Sequence, residues 1–353
     1  MNNQIQNTAL IAGATGQIGR SISHCLLESK RWEVIGLARR SADHTEYPMI
    51  GVDLTHREDC LSKLSTQRHI THLVYAARYD HFGGAQEAVD TNIMMLQNLI
   101  DSVLSVADNL KHIHLVHGTK YYGHTKAQRP VPYKEDDACG NFDSFYYTQQ
   151  ELIKRLQTGQ TWTWSISRPH AFCDHNINES RNLLLLVGIY ASVMRECGLP
   201  LIFPGTIQSY LSKTQFSWLP TLARSVAWMM TEPQCANQAF NIVNGDSPTW
   251  AELWPALAAY FAIQPGEPAN TRFEKLLADK QAVWQMLCAR HGLKPSQLQT
   301  AVQWPYADYA LSCPWDVVSS MTKATQAGFT ERVDSFKMWR AGFDFYRAQK
   351  LIP

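Results

Sequence analysis

Three glycines at a spacing of three, Gly13, Gly16 and Gly19, separate the apolar run Thr8 to Ala12 from a stretch carrying Ile22, Leu26 and Leu27 at helical spacing. The apolar run reads as a buried strand, Ile18 to Ser29 as a helix, and Glu33 to Ala38 as the next strand. Such a strand–turn–helix–strand unit opens a doubly wound parallel sheet, because the helix must fold back over the first strand to reach the second. The alternation then continues. Met49 to Val52 and His72 to Ala77 read as strands, Thr91 to Val106 as a helix, His112 to His117 as a strand, Phe145 to Leu156 as a helix and Thr163 to Ser167 as a strand. This order predicts an α/β fold with a Rossmann-type sheet.

The character changes after Arg168-Pro169. Asn182 to Arg195 is an apolar helix, Gly198 to Gly205 a proline-bounded loop or short strand, Leu222 to Met230 a helix and Ala239 to Val243 a strand. We therefore expect a dinucleotide-binding domain over 1–168. Residues 169–353 would be mainly a smaller, mostly helical substrate lobe over the carboxyl ends of the strands. The strand near 239–243 is expected to return to the first domain.

Charge and composition narrow the partners. A formal net charge of +1 gives no electrostatic case for nucleic acid or an anionic membrane. The best apolar run, Leu183 to Val187, is far too short to span a bilayer, and the polar start Met1 to Asn7 lacks a signal-peptide apolar region, so a cytoplasmic protein is expected. The eight cysteines form no C-x-x-C pair, which reads as reduced thiols. His112, His114 and His117 invite a metal reading. They lie on a strand without acidic or cysteine partners nearby, so no metal is expected.

The glycine turn has a mechanical use. Gly13 allows the tight turn, Gly16 lets the backbone approach a diphosphate, and Gly19 permits close packing of the helix. With Thr15, Gln17 and Ile18, they place the free N–H groups of a helix start at that diphosphate. Where NAD-binding chains usually carry an acidic residue for the ribose 2′-hydroxyl, this chain has Arg39 and Arg40. A guanidinium fork suits a 2′-phosphate, so NADP(H) is the expected cofactor, although two arginines can also simply end a surface strand. Asp53 and Leu54 are placed to flank the adenine, and the small Ala76 and Ala77 to pass under the cofactor.

A nucleotide-dependent reductase of this kind usually pairs a tyrosine with a lysine one helical turn later. After Tyr146-Tyr147 those positions hold Gln150 and Glu151, and the candidate lysine, Lys120, lies earlier, in Gly118-Thr119-Lys120-Tyr121-Tyr122-Gly123. Hydride transfer to a carbonyl or enone builds negative charge on oxygen, which needs a donor and a supporting cation. His117 sits beside the expected nicotinamide site; a satisfied, hydrogen-bonded histidine is the simpler reading. One of two adjacent helical tyrosines usually packs, and Tyr147 is expected to be that one.

The glycine turn, Arg39-Arg40, Arg168-Pro169 and the two-lobe plan resemble an extended short-chain dehydrogenase/reductase. Gly118-Thr119-Lys120, Phe145-Tyr146-Tyr147-Thr148, the segment Thr163 to Pro169, Glu196 to Gly205, Ala239 to Asp246 and the terminal Lys350-Leu351-Ile352-Pro353 narrow the resemblance to the progesterone 5β-reductase/iridoid synthase-like group. It spans nearly the whole chain. It implies NADPH-dependent 1,4-reduction of the activated C=C bond of a small apolar enone or enal. Tyr146 would hydrogen-bond the substrate oxygen and Lys120 would support cofactor and charge. Val116, His117 and Pro169 would border the nicotinamide with them, and a homodimer is the base expectation. The chain departs from the group's pattern at Thr148-Gln149-Gln150, where acidic residues are common, and at His170 to His175. A carbonyl reductase, a sugar-nucleotide epimerase or dehydratase, and a catalytically silent NADP(H)-sensing protein remain as alternatives. The aromatic group Trp339, Phe343 and Phe345 either lines the pocket or belongs to the core.

Overall fold

The computed structural model describes residues 7–40, 46–79, 87–140, 142–175, 181–294 and 297–353. Its centre is a parallel sheet of strands β1 (Asn7–Ala12), β2 (Trp32–Ala38), β3 (Met49–Gly51), β4 (His72–Tyr75), β5 (His112–Val116) and β6 (Thr163–Arg168), with Gln238–Asn241 as a seventh strand. Across the sheet the order is Gln238–Asn241, β6, β5, β4, β1, β2, β3. The direction of winding reverses between β1 and β4, which pair from Ala9–His72 to Ala12–Tyr75. Ligands bind in such sheets at the carboxyl ends beside this reversal. Gly13 and Ala76 stand there, one residue past each strand.

Strand alternation divides the core. Leu10, Leu73, Ile113 and Ile166 face helices α2 (Arg57–Leu64), α3 (Val89–Leu104) and α4 (Phe145–Gln157), packing on Leu64, Leu96, Leu99 and Leu152. Ala9, Ile11 and Val74 face the other way, onto Ile22 and Leu26 of α1 (Gln17–Glu28) and Leu222 and Val226 of the helix Leu219–Thr231. Each fully buried Leu or Ile contributes ~1.5–3 kcal/mol, which is why both faces of the sheet must be covered.

Residues after Pro169 contribute to two cores. Leu219–Thr231 covers the central sheet, and Gln238–Asn241 pairs with β6 from Gln238–Ser165 to Asn241–Arg168. Met321, Ala324 and Phe329 join that helix over the sheet, and most of the remainder packs around α5 (Leu183–Glu196), whose residues from Leu183 through Met194 are all buried, consistent with its unbroken apolar sequence. The Asn182 side chain caps this helix by accepting from Leu185 N at 3.1 Å. Trp250, Trp254, Trp284, Trp304 and Phe216 complete the cluster around it. Trp339 and Phe343 are fully buried in the same cluster, so these two are core; Phe345 is half-buried and stacks on His175 at 4.6 Å.

His112 and His114 share the next strand's hydroxyls. His112 contacts Thr163 Oγ1 and Ser165 Oγ, each at 2.7 Å, and His114 contacts Ser165 Oγ at 2.8 Å and Ser167 Oγ at 3.1 Å. Burial pushes His114 down to about 3, and His112 falls well below the ordinary histidine value for the same reason. Both are neutral members of a hydrogen-bonded sheet interior.

Candidate active site

The Gly13–Gly19 turn, where the sequence places a diphosphate, is shaped by the backbone. Gly13 sits at φ +79°, and a Cβ there would lie 2.7 Å from the Ala76 carbonyl oxygen. A Cβ on Gly19 would lie 2.2 Å from the Gly13 carbonyl oxygen, so the first turn of α1 closes on the loop only with glycine. Gly16 precedes α1 without a side-chain cap, leaving the helix's first N–H groups and its positive end open to an anion. Thr15 and Gly16 are exposed, whereas Gln17 is buried and its Nε2 donates to the Arg181 carbonyl at 3.4 Å. These features fit a dinucleotide diphosphate.

At the end of β2, Arg39 and Arg40 are exposed. The Asp53 carboxyl is held below its usual range, chiefly by the Thr55 hydroxyl and N–H, with a smaller contribution from the Arg39 charge. Leu54 points into the core, and its carbonyl accepts from Asn98 Nδ2 at 2.9 Å.

Tyr146 lies in the first turn of α4, where Ser144 Oγ accepts from its backbone N–H at 3.4 Å. Its ring stacks on His117, with centroids 4.7 Å apart and planes 23° apart. A Cβ on Gly118 would stand in ordinary contact with the Tyr146 oxygen, 3.5 Å away. Burial pushes the phenol up to about 12; the Arg78 charge opposes this and the Glu87 charge adds to it. At neutral pH it is therefore an O–H donor, and among the described residues it has no hydrogen-bond partner. Tyr147 is half-buried and packs against Phe142.

Lys120 projects from a short 3₁₀ turn, Thr119–Tyr122, which follows Gly118 past the end of β5. Its Nζ donates to Glu87 Oε1 at 3.2 Å, and Arg78 Nη2 reaches the same oxygen at 3.4 Å. The second Glu87 oxygen is buried without a partner among the described residues. The Lys120 ammonium also stands 5.6 Å over the ring of Tyr309, whose hydroxyl titration is raised by the neighbouring Tyr146 as well as by burial. Lys120 thus borders Glu87 and Tyr309; the Glu87 charge also acts on Tyr146, and Tyr146 on Tyr309. Pro169 joins them from the end of β6, its carbonyl accepting from Thr119 N at 3.1 Å, and His170 Nδ1 contacts the Thr119 hydroxyl at 2.6 Å.

His117 departs from the sequence expectation of a satisfied histidine. It is buried, and among the described residues neither ring nitrogen has a hydrogen-bond partner of acceptable geometry. Burial foremost, then the Arg168 charge, holds it down to about 3, with Gln149 pulling weakly the other way. A neutral ring packed flat on Tyr146 is what remains.

Position 150, one helical turn after Tyr146, is not vacant. Gln150 Oε1 accepts from Arg168 Nη2 at 2.7 Å, and its Nε2 donates to the Tyr121 hydroxyl at 3.3 Å. Glu151 turns outward and pairs with Lys154. Sequence reasoning missed Glu87, Arg78 and Tyr309. The first two lie between β4 and α3, where no periodicity marks them, and Tyr309 arrives from a distant segment. A concavity of about 320 Å³ lined by Gly245, Ser319, Met321, Thr322, Thr325, Gln326 and Arg332 lies elsewhere and gathers no comparable set of titratable groups.

The chain is similar to known proteins over most of its length. The family model described as a PRISE-like Rossmann-fold domain matches residues 52–353. The 3-oxo-Delta(4,5)-steroid 5-beta-reductase of Arabidopsis thaliana is 30% identical, covering 99% of this chain and 94% of its own. The (S)-8-oxocitronellyl enol synthase of Nepeta racemosa is 29% identical with the same coverage, 99% and 94%. Among solved structures, UDP-glucose 4-epimerase from Thermotoga maritima superposes with a TM-score of 0.68 at 12% identity, covering 97% of this chain and 99% of that one, a likeness of fold. No helix among the described residues is long and apolar enough to cross a membrane.

Proposed function

The chain belongs to the PRISE-like Rossmann-fold family, an oxidoreductase family with a nicotinamide cofactor, and from that premise we propose that it catalyses NADPH-dependent 1,4-reduction of the activated C=C bond of small apolar enones or enals. The observation that carries the reading is the Tyr146 hydroxyl: a neutral donor, without a partner among the described residues, beside Gly118 and acted on by the Glu87 charge that also pairs with the Lys120 ammonium. The name of the first of these relatives agrees with it, since a 3-oxo-Delta(4,5)-steroid carries its C=C bond next to a carbonyl.

The bound nicotinamide supplies the hydride. The residues of the chain do the rest. Tyr146 donates its O–H to the substrate carbonyl, so that electron density displaced from the C=C bond is received on an oxygen already hydrogen-bonded. Lys120 adds a positive charge near that oxygen, with Glu87 tethering it. The α1 N-terminus and Gly13, Gly16 and Gly19 hold the diphosphate, and Ala76, Ala77, Val116, His117 and Pro169 surround the nicotinamide end. The enolate then takes a proton at carbon from water to give the saturated carbonyl.

The test is product analysis. Purified protein is given NADPH deuterated at the transferring position and a panel of 2-cyclohexenone, a linear enal, a steroid enone and saturated ketones. Deuterium at the β-carbon of a saturated product supports the proposal. Turnover confined to saturated ketones, or tight NADPH binding without turnover of any substrate, sinks it.

Arg39 and Arg40 are proposed to read the 2′-phosphate, which makes NADPH the cofactor. Charge-assisted hydrogen bonds are worth ~1.5–3 kcal/mol each, so an Arg39→Ala/Arg40→Ala variant is expected to bind NADPH at least ~10-fold more weakly while NADH affinity stays within about twofold. Fluorescence titration with both cofactors measures this. Equal losses for the two would remove the assignment.

The same chemistry sets a pH expectation. With its pKa raised from 10.0 to about 12, Tyr146 binds its proton throughout the range below that value, so a donor role gives no ionisation step near neutrality. His117, His124 and His170, held down to about 3 to 4, are already neutral, and Asp174, raised to about 6, is ionised above pH 7. Turnover at saturating NADPH is therefore expected to be level between about pH 7 and 9. A tenfold rise over that range would indicate that a tyrosinate is the working form.

A further inference from the structure

Arg168, the last residue of β6, is fully buried. Placing a cation inside a protein is costly unless its donors are used. Here three of its five N–H groups are used, and Nε is buried without a partner among the described residues. Nη1 donates to the Tyr122 hydroxyl at 2.8 Å and to the Glu135 carbonyl at 3.3 Å, and Nη2 donates to Gln150 Oε1 at 2.7 Å. The guanidinium carbon also stands 3.6 Å from the centroid of the Tyr121 ring and 5.1 Å from that of Tyr122.

Both tyrosines belong to the same four-residue turn as Lys120, which they follow directly. The turn is held from a second side as well. The Tyr122 hydroxyl donates to Asn241 Oδ1 at 2.7 Å, and Asn241 Nδ2 donates to the Tyr133 carbonyl at 3.1 Å. Beyond Tyr122 the turn closes at Gly123, at φ +81°, whose N–H donates back to the Lys120 carbonyl at 3.0 Å. A short 3₁₀ turn has few bonds of its own to define it. Its shape is set by the groups its side chains grip, and Tyr121 and Tyr122 both grip Arg168.

We propose that Arg168 is a positioning residue of the active site, acting through Tyr121 and Tyr122 to fix the turn that presents Lys120 to the substrate oxygen. The inference rests on the role of Lys120 proposed above. It assigns the buried guanidinium to catalytic geometry, one step removed from the reacting atoms.

A double-mutant cycle on NADPH-saturated enzyme separates this from a merely structural role. Tyr122→Phe removes the hydroxyl shared by Arg168 and Asn241 and keeps the ring. Kcat and KM for 2-cyclohexenone are measured for the wild type, Tyr122→Phe, Lys120→Ala and the double variant, with thermal melts establishing that each is folded. The expected result is a kcat about tenfold lower for Tyr122→Phe, KM for NADPH within about twofold, and no further loss when the change is added to Lys120→Ala. Arg168→Lys, which keeps the charge but not the planar fork, is expected to repeat that non-additive pattern. If Tyr122→Phe leaves kcat unchanged, or lowers it by the same factor with and without Lys120, the positioning role is wrong while the role of Lys120 stands. If Lys120→Ala itself keeps full kcat, the parent reading fails and this inference fails with it.

Discussion

Replacing Tyr146 by phenylalanine is expected to slow enone reduction by ~100- to 1,000-fold, the loss that follows removal of a preorganised donor to a developing oxyanion. The substitution deletes one oxygen and leaves the ring, so the stack on His117 and the edge contact with Phe145 survive. Because the hydroxyl has no partner among the described residues, its loss orphans no buried group and should cost little stability. NADPH affinity should stay within about twofold, since the diphosphate and the 2′-phosphate are assigned to other residues. Stopped-flow oxidation of NADPH with 2-cyclohexenone, together with cofactor titration, gives both quantities. A Tyr146→Phe enzyme with wild-type kcat would remove the donor from the proposed mechanism. A large loss of cofactor binding would mean that the ring, not the oxygen, had been disturbed.

The parts of the fold written in local pattern were legible from sequence. The glycine turn could be read because its backbone approaches are so close that no side chain fits: the Gly19 Cβ position lies 2.2 Å from a carbonyl. The strands could be read because residues such as Ala9, Leu10 and Ile11 are buried on both faces of the sheet. The seventh strand was anticipated near 239–243 and lies at Gln238–Asn241. What pattern does not encode is which distant groups meet. Glu87 and Tyr309 have ordinary local contexts, and only the closure of the chain brings them to Lys120. His117 looked like a strand histidine that its neighbours would satisfy, as His112 and His114 are. It sits one residue beyond β5, past the serine and threonine hydroxyls of β6 that serve the other two, and stacks on an aromatic ring instead.

Restoring a lysine at position 150 is expected to damage the enzyme. By sequence alone, Gln150→Lys recreates the usual tyrosine–lysine spacing of the wider superfamily. The structure gives that position a different occupant and a different task. Gln150 supplies a neutral acceptor to Arg168 at 2.7 Å and a donor to Tyr121, both in the protein interior. A lysine there would set an ammonium against a buried guanidinium and withdraw the acceptor. Glu135, whose charge acts on Arg168 and Lys323, has a side-chain oxygen already engaged by Asn241 N at 2.7 Å. Leaving a buried charge uncompensated costs ~3–5 kcal/mol, and a second cation beside it adds repulsion. The Gln150→Lys protein should therefore melt at a lower temperature and lose most of its kcat through the turn that carries Lys120. Gln150→Glu should do the reverse for stability, since a carboxylate in the same place pairs with the guanidinium. Differential scanning calorimetry on the three proteins, with kcat measured alongside, decides the matter. A Gln150→Lys enzyme that melts and turns over like the wild type would show that position 150 and Arg168 are not coupled, and that the missing lysine is a neutral loss rather than a requirement of the way this site is built.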